Sequence, residues 1–257
     1  EARSISLLQR RKWWSIALVA AAVVGVLFFW NNYQIAASGD WNTLATTTGE
    51  QQSVELADGT VVWLNENSQL DYPLAFGAER KVILRGEAFF DVAKDVDHPF
   101  VIETTGAEID VLGTSFNVRA YAQEEQVVVA VRSGKVRFQP DRSNQNWTLT
   151  AKDKFTFDLA EKKYWQEVDE TNNDWSWHSQ KLQFKKTKLR QVLADLERHY
   201  QLKIELVNPA LYDCRNYTGT FNQAKVEDIL ASLQTVFDLQ MEREGNRTFR
   251  LIGGQCQ

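Results

Sequence analysis

The chain has 257 residues and a formal net charge of -5, with 44% hydrophobic and 12% aromatic residues. This hydrophobic content excludes a disordered chain and suffices for the packed cores of one or two modest domains. The negative charge argues against a nucleic-acid partner for the part of the chain after residue 33, because phosphate binding needs clustered cations and this part shows no such stripe.

An uncharged segment runs from Trp13 to Gly39, and large apolar residues dominate its first part. Residues 13–33 are long enough to cross about 30 Å of hydrocarbon at about 1.5 Å per helical residue. Trp and Tyr residues lie at both ends, as is typical at the headgroup level. The pattern predicts one transmembrane helix. A cleaved signal peptide is the alternative, but the apolar run is longer than a signal core, and bulky Trp30 and Tyr33 stand near its end where a small-residue cleavage site would be expected.

The charges on either side of this helix predict its orientation. Arg10, Arg11 and Lys12 precede the helix, and the stretch from Gln34 to Asp40 carries no cation. The positive-inside rule therefore places the N-terminus in the cytoplasm and exports everything after Tyr33. Residues 1–12 are expected to be a truncated cytoplasmic segment, since the chain opens on Glu rather than Met. Residues 34–50 are expected to be a linker on the exported side.

Residues 51–171 consist of short runs in which apolar and polar residues alternate. Asp58-Gly59 between two such runs predicts a hairpin, because both central positions of a type I′ turn need positive φ. Near-regular spacing is typical of an all-β domain, which would be a short-stranded sandwich, a roll or a solenoid. The later runs are Val82–Leu84, Phe89–Val92, Phe100–Glu103, Ile109–Leu112, Phe116–Tyr121, Val127–Val131, Val136–Phe138, Trp147–Leu149 and Phe155–Phe157.

Residues 172–179 have no clean period and are expected to be a linker. Beyond them, apolar residues at spacings of three and four predict helices from Lys188 to Tyr200 and from Lys225 to Phe237. Residues 180–257 are therefore predicted to form a small α+β module in which a βαβ unit occurs twice. Its predicted strands are Leu182–Phe184, Lys203–Val207, Tyr217–Phe221, Leu239–Glu242 and Thr248–Ile252.

Charged residues inside the β-rich segment suggest internal ion pairs. Arg80, Arg85 and Arg119 are candidates to pair with Glu87 or Asp91, and a buried pair would fix strand register. The alternative is exposed charge on the outer face of a strand. Gly86, directly before Glu87, is predicted to permit a bend or bulge between strands.

Three sequence motifs of the β-rich segment resemble the periplasmic domain of FecR-type transmembrane regulators. They are Gly86-Glu87-Ala88-Phe89-Phe90-Asp91-Val92, Pro99-Phe100-Val101 and Leu112-Gly113-Thr114-Ser115-Phe116-Asn117-Val118-Arg119. The C-terminal segment, with its βαβ pattern, is similar to the small modules of secretins and of TonB-dependent transducer signalling domains. The motif behind this similarity is F-K-K-T-K-L-R-Q-V-L-A-D-L-E-R. The resemblance implies a single-pass inner-membrane protein whose β-domain and C-terminal module lie in the periplasm.

The resemblance also implies partners. FecR-type regulators pass a signal from an outer-membrane TonB-dependent transporter to a cytoplasmic sigma factor. The transporter's signalling domain would dock on the C-terminal module, and the sigma factor would bind a segment N-terminal to Glu1. Sheet-edge addition is the expected docking mode, because small βαβ modules expose an edge strand. The candidate docking residues are Tyr217, Thr218, Phe221, Leu239 and Gln240.

Gly113-Thr114 is the one site with a possible reaction. A Thr hydroxyl after Gly can attack the preceding carbonyl carbon and convert the amide into an ester that water then cuts. The fold must strain that peptide and supply a base. Some FecR-like regulators resemble this chain at the Gly-Thr pair and are cut there. The alternative is a tight turn that needs Gly for its φ and Thr for its β propensity.

Both cysteines, Cys214 and Cys256, fall in the exported part, where an oxidising compartment favours a disulfide. Such a bridge is worth about 4 kcal/mol of unfolded-state entropy in the chain-entropy model. It would fasten the C-terminal tail to the strand that begins near Arg215. A pair of free thiols is the alternative.

No other residues form a catalytic or metal-binding pattern. The three histidines, His98, His178 and His199, do not have metal-ligand or triad spacing and are expected to be structural. We therefore expect no enzyme, no cofactor and no metal. The competing function is a membrane-anchored glycan-binding or envelope-structural protein. In that case sugars would stack on exposed tryptophans, for which the candidates are Trp147, Trp165, Trp175 and Trp177.

Overall fold

The computed structural model describes residues 40–255 apart from Asn246, and it leaves the side chain of Cys214 undescribed. The predicted cytoplasmic segment (1–12) and transmembrane helix (13–33) lie outside the described residues. So does Cys256, and the Cys214–Cys256 disulfide therefore stays a prediction. Within the described part of the chain, no helix is both long and apolar enough to cross a membrane.

The first domain is built from thirteen strands in the described residues, joined in one hydrogen-bonded network. The alternating runs of the sequence thus form strands, and the all-β character of this domain is confirmed. The strands are β1 (Trp41–Ala45), β2 (Gln52–Glu55), β3 (Val61–Leu64), β4 (Gln69–Pro73), β5 (Arg80–Asp91), β6 (Phe100–Thr104), β7 (Ala107–Val111), β8 (Ser115–Ala120), β9 (Gln126–Ser133), β10 (Lys135–Pro140), β11 (Trp147–Thr150), β12 (Asp153–Asp158) and β13 (Tyr164–Val168).

These strands form two layers that share the long strand β5. The first layer has the order β1-β4-β5-β6-β7-β10-β11, and the second has the order β2-β3-β5-β8-β9-β12-β13. Residues 80–83 of β5 pair with β6, whereas residues 86–91 pair with β8. The strand changes layers at Gly86, where φ is +107° and a Cβ atom would overlap Ser68. The predicted bend at Gly86 is therefore present, and only glycine fits it.

The core of the β-domain lies between the two layers. Phe138 on β10 and Phe155 on β12 belong to different layers, and their ring centroids are 4.9 Å apart. Phe90 on β5 and Phe100 on β6 are 6.2 Å apart. All four side chains are completely buried, and each such burial stabilises the fold by about 2–3 kcal/mol. Of the three predicted architectures, the domain is a sandwich.

The sheet begins earlier than the sequence predicted. Residues 41–45, expected to lie in the 34–50 linker, form β1 and pair with β4 from Trp41↔Pro73 to Ala45↔Gln69. Four of the five β1 residues are exposed. Main-chain hydrogen bonds to β4 therefore hold this strand at the edge of the sheet. Its sequence lacks the alternation of apolar and polar residues from which a strand is predicted.

The second domain is an α+β module with a single core. Strands β14 and β16 pair antiparallel, β15 and β18 pair parallel, and β17 pairs antiparallel with β18. Two amphipathic helices bury one face each against these strands. The elements from the interdomain segment onward are α1 (Ser176–Ser179), β14 (Lys181–Lys188), α2 (Leu189–Tyr200), β15 (Lys203–Leu206), α3 (Leu211–Cys214), β16 (Asn216–Asn222), α4 (Val226–Phe237), β17 (Leu239–Arg243) and β18 (Thr248–Gly253).

Candidate functional site

A buried carboxylate lies on the outer face of the second layer. Glu87 of β5 is 0% exposed. Its Oε2 accepts a hydrogen bond from Asn65 Nδ2 at 2.9 Å, and its Oε1 accepts one from Asn117 Nδ2 at 2.8 Å. The guanidinium of Arg119 is 3.3 Å from Oε2. A buried charge is tolerated only with such partners, so this polar cluster specifies the local arrangement of β5 and β8.

The arginine pairs of the β-domain agree only partly with expectation. Arg119 does pair with Glu87, as predicted. Arg80 instead pairs with Asp58 at 2.8 Å, and Arg85 pairs with Asp71 at 2.7 Å. The predicted partners for those two arginines were wrong, because both precede the bend at Gly86 and so lie in the other layer.

The segment between the domains covers the buried Glu87 cluster. We call residues 173–178 the junction segment. Its Trp175 and Trp177 are 5% and 3% exposed. The indole Nε1–H of Trp177 donates to Asn117 Oδ1 at 3.2 Å. The ring of His178 stacks on Phe89 with centroids 4.5 Å apart. The segment predicted to be a linker, 172–179, is therefore a docked element of the molecule.

The junction segment is also bonded to the C-terminal module. Asn173 Nδ2 donates to Asp195 Oδ2 at 2.8 Å, and the side chain of Asp174 pairs with Arg198 at 2.9 Å. The Nδ1 atom of His199 is 2.8 Å from Ser176 Oγ. Because the same few residues bind both domains, displacement of the module would disturb the Glu87 cluster.

Burial perturbs the titration of the histidines at this junction. Desolvation, with a smaller contribution from Arg198, lowers the pKa of His199 to about 4. Desolvation and then Arg132 lower the pKa of His178. Both imidazoles are consequently neutral at physiological pH and serve as packing and hydrogen-bonding groups.

Gly113 and Thr114 form a tight turn between β7 and β8. Gly113 has φ +144°, and a Cβ atom there would lie 2.8 Å from Lys94 Cα. Thr114 is 3% exposed. Its hydroxyl donates to the Lys135 carbonyl at 2.8 Å and accepts the Lys135 N–H at 3.2 Å. A Cβ atom on Gly134 would lie 2.6 Å from the Thr114 Oγ1 and 3.0 Å from the Gly113 oxygen. Two glycines therefore let the backbone close around this hydroxyl.

A surface cavity of about 660 Å³ adjoins the turn and includes Gly113 and Thr114 in its wall. Lys94 and Lys135 are its lysines, and Asp110 is paired with Arg137 at 2.7 Å. In the described structure the hydroxyl of Thr114 contacts main-chain groups, so a proton acceptor for attack on Gly113 would have to come from this cavity or from water.

The five predicted docking residues have different environments. Tyr217 and Leu239 are 4% and 5% exposed and belong to the module core. Phe221 is half-buried against the same core. Thr218 and Gln240 are exposed. Within the described residues, β16 pairs with β14 alone and β17 with β18 alone. Docking on these strands would therefore use main-chain groups, and of the five predicted residues only Thr218 and Gln240 have exposed side chains.

The comparisons with known proteins place the chain in a family. The profile of the FecR protein family matches residues 42–137, and the profile of the FecR C-terminal domain matches residues 181–249. Two crystal structures of a candidate anti-sigma factor from Parabacteroides distasonis, at 1.65 Å and 2.50 Å, are each 30% identical to the chain. They align over 83% and 84% of this chain and 100% of the other, with TM-scores of 0.66 and 0.65. No curated protein matches significantly.

The chain therefore belongs to the FecR family. Both domains carry the resemblance, since the first profile falls within the sandwich and the second within the α+β module. Sequence reasoning did not find the junction segment as a site. The available signal was the cluster Trp175, Trp177 and His178, which is unusually aromatic for a linker.

Proposed function

We propose that this protein is an anti-sigma-factor-type regulator of the inner membrane, which relays a signal from an outer-membrane TonB-dependent transporter to a cytoplasmic extracytoplasmic-function sigma factor. The main support for the proposal is the match of both domains to the FecR family, together with an alignment over 83% of this chain to a candidate anti-sigma factor. The N-terminus would lie in the cytoplasm, where it binds the sigma factor. The sandwich and the module would lie in the periplasm.

The C-terminal module is the proposed receiver of the signal. Its strands β16 and β17 each have one strand neighbour in the described residues, which leaves the other side of each for an added strand. A transporter strand would gain main-chain hydrogen bonds there without a dedicated pocket. The junction segment supports transmission, because docking on the module acts on an element that is hydrogen-bonded to the sandwich through Trp177 and Asn117.

We also propose that the chain cleaves itself at Gly113-Thr114. Thr114 Oγ would add to the Gly113 carbonyl carbon, the C–N bond would break as the Thr114 nitrogen takes up a proton, and water would hydrolyse the resulting ester. The positive φ of Gly113, the enclosed hydroxyl and the adjoining cavity support this proposal.

The glycan-binding alternative has little support. Of its four tryptophans, Trp175 and Trp177 are buried in the junction, and Trp147 packs against the sandwich core. Trp165 alone among these four is largely exposed, at 51%. A sugar platform needs accessible rings, and three of these four tryptophans are buried or packed against a core.

Two experiments on the full chain test the proposal. A tag after Gln257 should be accessible to protease added to spheroplasts, since the positive-inside rule exports the C-terminus. Chemical cross-linking in intact cells, followed by capture of the tagged chain, should recover a TonB-dependent transporter. A protected tag would overturn the topology. Failure to recover any transporter under inducing conditions would overturn the relay.

A further inference from the structure

Strand β13 is an edge strand with an unusual surface. All five of its residues are exposed, although three of them are large and apolar. Tyr164, Trp165 and Val168 are 49%, 51% and 64% exposed. Edge strands normally carry charge, proline or a bulge that discourages pairing with another strand, because their main-chain groups are unsatisfied. An accessible edge lined with apolar side chains marks a surface that pairs with another strand.

The hydrogen bonds to β12 show which main-chain groups of β13 face outward. Asp158 N–H donates to the Lys163 carbonyl at 2.8 Å, and Asp169 N–H donates to the Lys152 carbonyl at 2.8 Å. In an antiparallel ladder the bonded pairs alternate, so residues 163, 165 and 167 direct their main-chain groups toward β12. Tyr164, Gln166 and Val168 therefore present theirs on the opposite side, where no strand of the described chain lies.

The sequence of β13 is complementary to itself in one antiparallel register. With a two-fold axis at Trp165, each Lys163 faces Glu167 of the other strand, and the two Trp165 rings face each other. Each Tyr164 then faces Gln166 of the other strand. The main-chain N–H and C=O groups of both residues face outward, so the two residues can exchange hydrogen bonds across the new pair of strands. Lys163, Trp165 and Glu167 share one face of the strand. Opposite charges and paired aromatic rings are the cross-strand partners that stabilise such a ladder.

We propose that β13 pairs antiparallel with β13 of a second copy of this chain, so that the second layers of two sandwiches join into one continuous sheet. The pairing is isologous, since the same residues contribute from both copies. Charge complementarity favours a second copy of β13 over an arbitrary strand. The partner strand must place an acidic residue opposite Lys163 and a basic residue opposite Glu167, and an antiparallel copy of β13 does both. The pair of Lys163 with Glu161 at 2.9 Å is exposed and costs little to exchange. Glu167 is 65% exposed and lies 3.4 Å from Lys154, which keeps Asp174 as a second partner if Glu167 turns to another strand.

Five residues make a small interface, so the dimer is expected to be weak in dilute solution. Anchoring two copies in one membrane would raise their effective concentration and favour the pair. The inference concerns the sandwich and does not depend on which partner docks on the C-terminal module.

Disulfide trapping of the full chain in native membranes tests the register. Trp165→Cys is introduced into a chain that also carries Cys214→Ser and Cys256→Ser. In the proposed register the Cα atoms of the two introduced cysteines lie about 4.5 Å apart, within disulfide range. Gln166→Cys is the matched control, because its nearest copy is offset by two residues at about 7–8 Å. We expect a covalent dimer for the first variant and several-fold less for the second. Equal or reversed yields would overturn the register.

Charge reversal tests the complementarity without removing the native cysteines. Lys163→Glu alone and Glu167→Lys alone should each abolish the dimer in sedimentation of the detergent-solubilised full chain, since each places like charges opposite one another. A mixture of the two variants should dimerise again, because both cross-strand pairs are then opposite in sign. Rescue by mixing excludes a folding defect as the cause. A monomeric mixture, a wild-type chain that stays monomeric at high concentration, or a different protein trapped by the Trp165→Cys variant would overturn the proposal.

Discussion

Trp177 and Asn117 are joined by a hydrogen bond of 3.2 Å from the indole N–H to the amide oxygen, across the boundary between the two domains. The same Asn117 donates to the buried Glu87. A chain of hydrogen bonds therefore links the junction segment to the interior of β5. This relationship is the structural basis for expecting a signal received by the module to reach the sandwich.

Replacing Trp177 should loosen the junction. Trp177→Phe retains much of the packing but leaves the Asn117 oxygen without its donor, at a cost of about 1–3 kcal/mol. Trp177→Ala also opens a cavity and should cost about 3–5 kcal/mol. Urea unfolding of the full chain in detergent, followed by circular dichroism, measures both. Trp41→Phe, at an exposed position, should change stability by less than about 0.5 kcal/mol. Equal effects at positions 41 and 177 would contradict the role of the junction.

Acidification should weaken the contact between the junction segment and helix α2. The pKa of His199 is about 4 in the folded chain because of burial and Arg198, against about 6.5 when unfolded. As the pH falls, the unfolded state takes up this proton first. The stabilisation is therefore complete above about pH 6.5 and is lost progressively down to about pH 4, by at most about 3 kcal/mol.

The measurement is the free energy of unfolding between pH 4 and 7 for the wild-type chain and for His199→Gln. The variant should lose less stability on acidification, because it lacks the titrating group. Parallel pH profiles for wild type and His199→Gln would refute the assignment.

Cleavage at Gly113-Thr114 should depend on the surroundings of the hydroxyl as well as on the hydroxyl itself. Thr114→Ala should give one intact band on a denaturing gel, and Thr114→Ser should still give two. Gly134→Ala should also prevent cleavage, because its Cβ would lie 2.6 Å from Thr114 Oγ1 at a φ of +89°. Gly77→Ala is the matched control, since nothing lies within 4 Å of the added atom. An intact wild-type band in cells would leave the pair as a structural turn.

The regular elements of this protein could be predicted from sequence because their patterns are local. Helices α2 and α4 bury residues at spacings of three and four, and the strands of the sandwich core alternate, so periodicity identified them. Strand β1 lacks that signal, since its residues are mostly exposed. The choice of a sandwich also could not be predicted, because the change of layer at Gly86 depends on pairing between strands distant in sequence.

The junction segment escaped prediction for a related reason. Trp175 and Trp177 are buried by contacts with Phe89 and Asn117, which lie far away in sequence. A segment with neither helical nor strand period resembles a linker until its partners are known. The buried state of Glu87 likewise depends on Asn65, which follows β3, and on Asn117 and Arg119 of β8. Sequence alone left Glu87 undecided between a buried pair and exposed charge.

Proline substitutions on the module should identify the docking edge. Thr218→Pro on β16 removes a main-chain donor that points away from β14. On β17 the matching change is Met241→Pro, because the bond from the Glu244 N–H to the Thr248 carbonyl sets the alternation and turns the main-chain groups of Gln240 toward β18. At least one of the two variants should abolish capture of the transporter by the full chain, because strand addition relies on these donors. Thr218→Ala and Met241→Ala keep the N–H and should bind normally. Unchanged capture by both proline variants would direct attention to the helix faces instead.

The most direct test of the account is the transcript profile of cells that lack this gene, compared with cells in which the intact gene is restored. If the protein regulates a sigma factor, the transcripts of one extracytoplasmic-function regulon should change together in the deletion and return with the restored gene. The sign of the change tells whether the protein inhibits or activates its sigma factor. Unchanged transcription of every such regulon, with and without the inducing transporter ligand, would contradict the proposed function.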